Sequence, residues 1–268
     1  MLSLPKFFEM ATFLFDKIIF GPVKSRRLGI SLGINLLPAD TKICSFDCIY
    51  CECGRNQKKR EEKAVLPSRM EVKQKLEETL IKMGAENQLP DVITFAGNGE
   101  PTLHPGFAGI IDDTVELRNR HAPKAKIAVL SNATMLHKKP VFEALQKIED
   151  NIQKLDSAFE ETIKLLNCPQ GNFNIQKVVD QLAAFNGKII IQTMFIRGSY
   201  KGQPIDNTKK EEVLAWIGLL KKIKPGQVMI YTIARDTPVD TLEKVPLPDL
   251  KEIAGQVEKA GFSVQVSG

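Results

Sequence analysis

No stretch of this 268-residue sequence is long and apolar enough to span a bilayer. Its most apolar segment gathers Phe7, Phe8, Phe13, Leu14, Phe15, Ile18, Ile19 and Phe20, but Lys6, Glu9, Asp16 and Lys17 interrupt it. A spanning helix needs about 20 mostly apolar residues. Nor does the segment resemble a secretory leader, because no basic region precedes it and no small-residue cleavage site follows. Residues 1–18 are expected to form an N-terminal extension that packs on an edge or into the core. There is no surplus of one charge: 37 Lys and Arg against 32 Asp and Glu leave +5. That is too little for an electrostatic footprint that would mark a nucleic-acid binder. Gly (18) and Pro (15) stand at average usage, which excludes collagen-like and low-complexity chains. No repeat or Gly/Ser-rich linker divides the sequence, so residues 19–268 are expected to form one domain, of a size that α/β barrels reach. Cysteine is scarce and odd in number, five in all. This argues against a disulfide framework and for a reducing cytoplasm.

What is present is an alternation of short β-branched runs with helical patterns. Strands are expected over residues 28–37, 91–96, 126–130, 151–155, 188–195 and 227–233. Helices are expected over 67–83, 106–121, 138–148, 175–185, 209–222 and 248–259, with a last strand at 262–266. Strands separated by helices imply parallel neighbours, since a parallel pair needs a crossover connection. The sheet is then open or closed. Polar and glycine-rich clusters follow strand after strand at the C-terminal end, which favours a barrel, whose loops converge on that face. A doubly wound sheet would also bind ligands at those ends. The Gly97-Asn98-Gly99 cluster has too few glycines for a dinucleotide fingerprint, and Pro101 follows it closely.

The densest chemistry lies in Cys44-Ser45-Phe46-Asp47-Cys48-Ile49-Tyr50-Cys51, a C-x3-C-x2-C spacing. Such a loop can wrap a compact metal cluster, three thiolates on three irons, leaving a fourth iron open for a substrate or cofactor. A zinc site competes with this, but closed zinc sites take four ligands, and no second cysteine pair exists. His104, His121 and His137 are not arranged as a pair near any cysteine. Inert buried thiols and a disulfide are the remaining alternatives. Cys53 can replace Cys51 in a C-x3-C-x4-C reading, while Cys168, before Pro169, reads as structural.

Cys44, Cys48, Tyr50 and Cys51 match C-x3-C-x-aromatic-C in full, and on these residues the sequence resembles the radical S-adenosylmethionine (SAM) superfamily. Within it, Phe20-Gly21-Pro22, Ser25-Arg26-Arg27-Leu28-Gly29, Ser31-Leu32-Gly33-Ile34-Asn35, Cys48-Ile49-Tyr50-Cys51-Glu52 and Gly97-Asn98-Gly99-Glu100-Pro101-Thr102 resemble the branch akin to wyosine-type tRNA-modifying enzymes. The likeness covers residues 19–238, leaving 239–268 as a C-terminal helix and strand. It implies an α/β fold, a partial (β/α)6 TIM-like barrel of parallel strands, with a 4Fe-4S cluster on the loop after the first strand. It favours Cys44, Cys48 and Cys51 as the cluster ligands, and it places SAM across the barrel mouth.

The resemblance further implies that Gly97, Asn98, Gly99 and Glu100 stand where the superfamily carries Gly-Gly-Glu, with Glu100 or the backbone of the two glycines receiving the SAM ammonium. Ser131, Asn132 and Asp156 resemble positions that hold the ribose hydroxyls and the carboxylate, with Lys154 as a partner for the latter. Either Gln192 with Met194 or Thr193 with Phe195 lines the interior, and Tyr231 and Arg235 are candidates for adenine or substrate. The implied reaction is reductive cleavage of SAM to a 5′-deoxyadenosyl radical that abstracts hydrogen, with electrons from a donor such as flavodoxin or ferredoxin. The substrate class stays open among RNA, protein and small molecules. Wyosine enzymes carry a second set of cysteines that this sequence lacks, which argues against their reaction. Activation of a glycyl-radical partner is one alternative, and a non-catalytic zinc module that binds RNA or protein is another. No membrane is expected as a partner, and the stretch with Lys58, Lys59, Arg60, Glu61 and Glu62 reads as a solvated loop.

Overall fold

The computed structural model describes residues 13–25, 27–56 and 65–268. Phe7 and Phe8, and the Lys58 to Glu62 charges, lie outside the described residues. Eight strands form one curled sheet in the order β1-β2-β3-β4-β5-β6-β9-β11. These are β1 (Ile19–Ser25), β2 (Gly29–Ile34), β3 (Val92–Phe95), β4 (Lys126–Ser131), β5 (Asp150–Lys154), β6 (Ile190–Met194), β9 (Gln227–Tyr231) and β11 (Val264–Ser267). All neighbours from β2 to β11 are parallel, and only β1 runs antiparallel, against β2. The sheet is a half-barrel, and its parallel neighbours are those that the alternation of elements implies.

Burial on both faces explains the near-continuous apolar strands. Leu32, Ile34, Ile93, Phe95, Ile127, Val129, Ile191, Val228 and Ile230 face the helices in one large core. The alternate residues Val92, Ala128, Ile152, Ile190 and Met229 form a separate apolar floor inside the half-barrel. Two residues further along, four of these five strands turn polar inside, with Thr94, Lys154, Gln192 and Tyr231, while β4 carries Leu130.

Two of the helices start at side-chain caps. Ser68 Oγ accepts from Glu71 N (3.1 Å) at the start of α1 (Arg69–Ala85), and Asn174 Oδ1 accepts from Lys177 N (2.8 Å) at α5 (Ile175–Ala183). The layer is completed by α2 (Phe107–His121), α3 (Lys139–Leu145), α4 (Glu160–Leu166), α6 (Lys210–Ile223) and α7 (Leu247–Lys259). No helix among the described residues is long and apolar enough to cross a membrane.

Five of the strands and α-helices were not anticipated: β1, α4 and the three strands of a second sheet. β1 contains Gly21-Pro22, which reads as a breaker; the strand survives because it is an edge, with its register irregular between Phe20 and Val23. The helix α4 is too short to show a period. A small antiparallel sheet, β10-β7-β8, follows β6, built from β7 (Ile196–Tyr200), β8 (Gln203–Asp206) and β10 (Leu242–Lys244). Asn207 fastens this sheet to the barrel: its Oδ1 accepts from Ile196 N (2.9 Å), and its Nδ2 donates to the carbonyls of Asp156 (2.9 Å) and Met194 (2.8 Å).

Candidate active site

The loop between β2 and α1 carries the thiols to the C-terminal mouth of the half-barrel. Side chains rather than ladders set its path. Asn56 Oδ1 accepts from Cys44 N (3.1 Å), and its Nδ2 donates to the carbonyls of Cys44 and Phe46 (both 3.0 Å). Lys42 Nζ lies 3.3 Å from Asp47 Oδ1 and donates to the carbonyl of Gly54 (2.8 Å). From the far side, Asp47 N and Ile49 N donate to the carbonyls of Asn167 and Leu166, at 2.8 and 2.9 Å.

A cleft of about 210 Å³ opens at this loop. Cys44, Cys48, Cys51 and Tyr50 line one wall, and Gly97, Gly99, Glu100, Ser131 and Asn132 another. Lys154, Gln192, Tyr231 and Arg27 extend it into the barrel. A roomier groove, about 730 Å³, runs beside Phe13 and Phe20 and carries none of the thiols. Among the described residues, no three His, Cys, Asp or Glu groups converge on a point where they would hold a single ion. A cubane does not require such convergence, because each thiolate takes its own iron.

Two amides point at the sulfurs. Asn132 Nδ2 lies 3.5 Å from Cys44 Sγ, and Asn167 Nδ2 lies 3.4 Å from Cys48 Sγ. Burial pushes the Cys44 thiol far up and the Cys48 thiol up to about 11. Cys51 is lowered to about 6, first because Cys53 hydrogen-bonds to it and then, against the opposing effect of burial, because Lys42 is near. Lys42 is held above its ordinary range: burial acts to lower it, but the three thiols and Asp47 outweigh that. A thiol set with amide donors and an adjacent cation suits a metal-thiolate group of net negative charge.

The second wall depends on glycine. Gly97 and Gly99 have φ of +148° and +137°. A Cβ on Gly99 would overlap the carbonyl oxygen of Ile43, and the two residues form an isolated parallel bridge. Gly99→Ala is therefore expected to push the thiol loop off its seat, cutting iron retention severalfold and lowering the melting temperature; iron analysis and a thermal melt would show it. Glu100, buried, accepts from Thr102 N (3.1 Å) at Oε1 and from Asn132 N (2.7 Å) at Oε2. Burial raises its pKa despite these bonds.

Not every residue expected at the site faces the cleft. Asn98 turns away: its Oδ1 accepts from Phe15 N (2.8 Å), and its Nδ2 donates to the carbonyls of Phe15 (2.9 Å) and Pro38 (2.7 Å). Asp156 folds beneath Tyr50, whose hydroxyl it accepts in a short hydrogen bond. It also accepts from Asn167 Nδ2 (2.7 Å) and Met194 N (2.9 Å) and pairs with Lys154 at 3.5 Å. Gln192 lines the cleft, whereas Thr193 Oγ1 donates to the carbonyl of Leu155 and Phe195 packs on Trp216. That settles which face of β6 points inward. Arg235 forms an exposed pair with Glu52 (2.6 Å), and the three histidines lie among other partners. Lys42, Asn56, Asn167 and Arg27 were missed as site residues. Only Arg27 had a signal, its place in the Ser25–Gly29 segment.

The C-terminal mouth of a parallel half-barrel thus carries three thiols and a glycine-built wall. The chain belongs to the radical SAM superfamily, whose family profile matches residues 40–206. It is similar to a UPF0026 protein of Helicobacter pylori strain J99, 32% identical over 227 residues, which are 81% of this chain and 67% of that protein. A UPF0026 protein of Methanocaldococcus jannaschii is 31% identical over 222 residues, 81% of this chain and 64% of that one. A Brachyspira hyodysenteriae protein named GTPase Obg is 31% identical over 225 residues, but the match spans 82% of this chain and only 30% of that one. Similar folds include a radical SAM methyltransferase from Sphaerobacter thermophilus, with a TM-score of 0.64 and 11% identity over 88% of this chain and 65% of the other. Streptococcus suis SuiB bound to S-adenosylmethionine has a TM-score of 0.60 and 17% identity over 85% of this chain and 49% of the other. TYW1 with a lysine-pyruvate adduct has a TM-score of 0.59 and 13% identity over 85% and 73%.

Proposed function

We propose that this radical SAM enzyme holds a 4Fe-4S cluster on Cys44, Cys48 and Cys51 and uses it to cleave SAM reductively to a 5′-deoxyadenosyl radical that takes hydrogen from a substrate inside the half-barrel. The observation that carries this reading is the seating of the three thiols on one wall of the cleft, with Asn132 and Asn167 amides aimed at two of the sulfurs.

This chain's residues then have distinct tasks. The backbone at Gly97 and Gly99 lets a ligand approach closely. Glu100 presents a buried carboxyl that an ammonium would hold ionised, since an opposite charge offsets the burial that now raises its pKa. Ser131 and Asn132 offer a hydroxyl and an amide at the same wall, suited to ribose hydroxyls. Lys154, kept protonated by Asp156 and Tyr231 against the effect of burial, supplies positive charge for a carboxylate. Asp156 acts through Tyr50 and Asn167, and Asn98 by bracing the loop. The apolar floor keeps water and stray hydrogen donors from the interior. An outside reductant such as flavodoxin or ferredoxin in the cytoplasm supplies the electron.

Protein purified without oxygen is expected to be brown, to hold about four irons per chain, and to form 5′-deoxyadenosine from SAM under dithionite. A colourless protein with one zinc per chain would overturn the reading.

A further inference from the structure

The turn joining β1 to β2 brings Arg27 to the flank where the two ends of the sheet approach each other. Ser25 Oγ shapes this turn by accepting from Arg27 N (3.3 Å) and Leu28 N (3.1 Å). Gln265 Nε2, on the terminal strand β11, donates to the Arg27 carbonyl (3.3 Å). These bonds hold the backbone of Arg27; its guanidinium lies over the ring of Tyr231 with its carbon 4.6 Å from the centroid, and it lines the cleft.

Among the described residues, Arg27 Nη1, shut off from solvent, has no hydrogen-bond partner, and no carboxylate forms an ion pair with the guanidinium. The other two cations of the cleft each stand beside a carboxylate of this chain, Lys42 at 3.3 Å from Asp47 and Lys154 at 3.5 Å from Asp156. An arginine cannot shed its proton to escape burial, and a sequestered N–H without an acceptor is costly. Stacking on Tyr231 offsets part of that cost and fixes the plane of the guanidinium, but a ring face does not replace an oxyanion that accepts from its N–H groups. The hydroxyl of Tyr231 also lies 3.4 Å from Lys154 Nζ, so the surroundings of Arg27 add positive charge rather than a counter-ion. Arg27 lines the same cleft as the cysteine loop, and its ring partner Tyr231 ends the strand β9.

We propose that Arg27, braced by Tyr231, is the anion-recognition group of the substrate subsite, so that the substrate carries a carboxylate or phosphate into the half-barrel. This rests on the radical reading of the cleft and adds to it the chemical class of what is bound. A planar guanidinium takes either oxyanion in a two-point hydrogen bond. Tyr231 is then a positioning residue, setting the plane in which the two points are offered.

The test is equilibrium dialysis of the anaerobic holoprotein, saturated with SAM, against labelled pyrophosphate and labelled malonate. One equivalent of at least one probe is expected to bind, and the probe preferred separates phosphate from carboxylate. Arg27→Met is expected to weaken that binding at least tenfold, and Arg27→Lys by a smaller factor, with SAM affinity within twofold of wild type in both. Arg27→Lys also serves if the methionine variant does not fold. Failure of both probes to bind wild type, or binding unchanged in the variants, would overturn the proposal. So would displacement of the probe by SAM together with a tenfold loss of SAM affinity in Arg27→Met, which would assign Arg27 to the SAM carboxylate instead. The dialysis does not depend on turnover. Absence of a cluster and of 5′-deoxyadenosine would refute the radical reading separately.

Discussion

Replacing Cys44, Cys48 or Cys51 by alanine is expected to leave a colourless protein that retains almost no iron and forms no 5′-deoxyadenosine, whereas Cys53→Ala and Cys168→Ala should keep both properties. The three former thiols line the cleft wall. Cys53 and Cys168 are occupied elsewhere, with Cys53 Sγ 3.2 Å from the carbonyl of Gly97 and Cys168 Sγ 3.5 Å from that of Leu165. Losing one thiolate leaves a cluster held at two corners, with a hole in the wall that alanine does not fill. Losing Cys53 removes hydrogen bonds worth about 1 kcal/mol each. It has a second, kinetic effect. Cys53 is the foremost cause of the low Cys51 pKa of about 6, so without it Cys51 moves up and less of it is thiolate at neutral pH. Cluster assembly in Cys53→Ala should accordingly be slower, reach the same end point, and speed up as the pH rises. Iron analysis and the visible spectrum during anaerobic reconstitution would follow both quantities. Loss of the cluster in Cys53→Ala with retention in Cys51→Ala would move the third ligand to Cys53.

The parts of this molecule that were legible in its sequence are those in which the physics is local. Residues 91–96 and 126–130 read as buried strands because both faces of β3 and β4 are covered, so Val92 and Ile93 are apolar alike. The thiol loop was legible through spacing within eight residues. What escaped depends on partners far along the chain. Asn167 reaches Cys48 across 119 positions, and that amide does not differ in sequence from any surface asparagine; Asn132 was legible as a candidate for ribose hydroxyls, but not its contact with Cys44 across 88 positions. Asn98 shows the converse, a polar residue inside a motif whose side chain is consumed by Phe15 and Pro38 rather than offered to a ligand. For β6, alternation identified the two candidate faces but not which one points inward. That is set by the packing of Phe195 against Trp216 on the helix side.

Asp156 carries the other large expected effect. Its side chain is fully buried and stands against Lys154 at 3.5 Å, with Asn167, the amide of Met194 and the Tyr50 hydroxyl all donating to it. Asp156→Ala removes the counter-charge of a mostly buried ammonium and leaves several donors without an acceptor. Breaking one partner of such a pair typically costs about 3–5 kcal/mol. The variant should thus unfold at markedly lower urea and lose its hold on the loop through Asn167 and Tyr50, with SAM cleavage falling alongside iron retention. Asp156→Asn keeps the shape but not the charge, and Lys154→Met combined with it removes the unpaired ammonium. The double variant is expected to recover much of the stability that Asp156→Asn loses, because an uncompensated charge costs more than an absent pair. SAM affinity discriminates the role. If Asp156 acts by holding Tyr50 and Asn167 in place, affinity in Asp156→Asn should follow the retained cluster. Wild-type stability and iron content with a tenfold weaker SAM affinity would instead mean that Asp156 touches SAM directly.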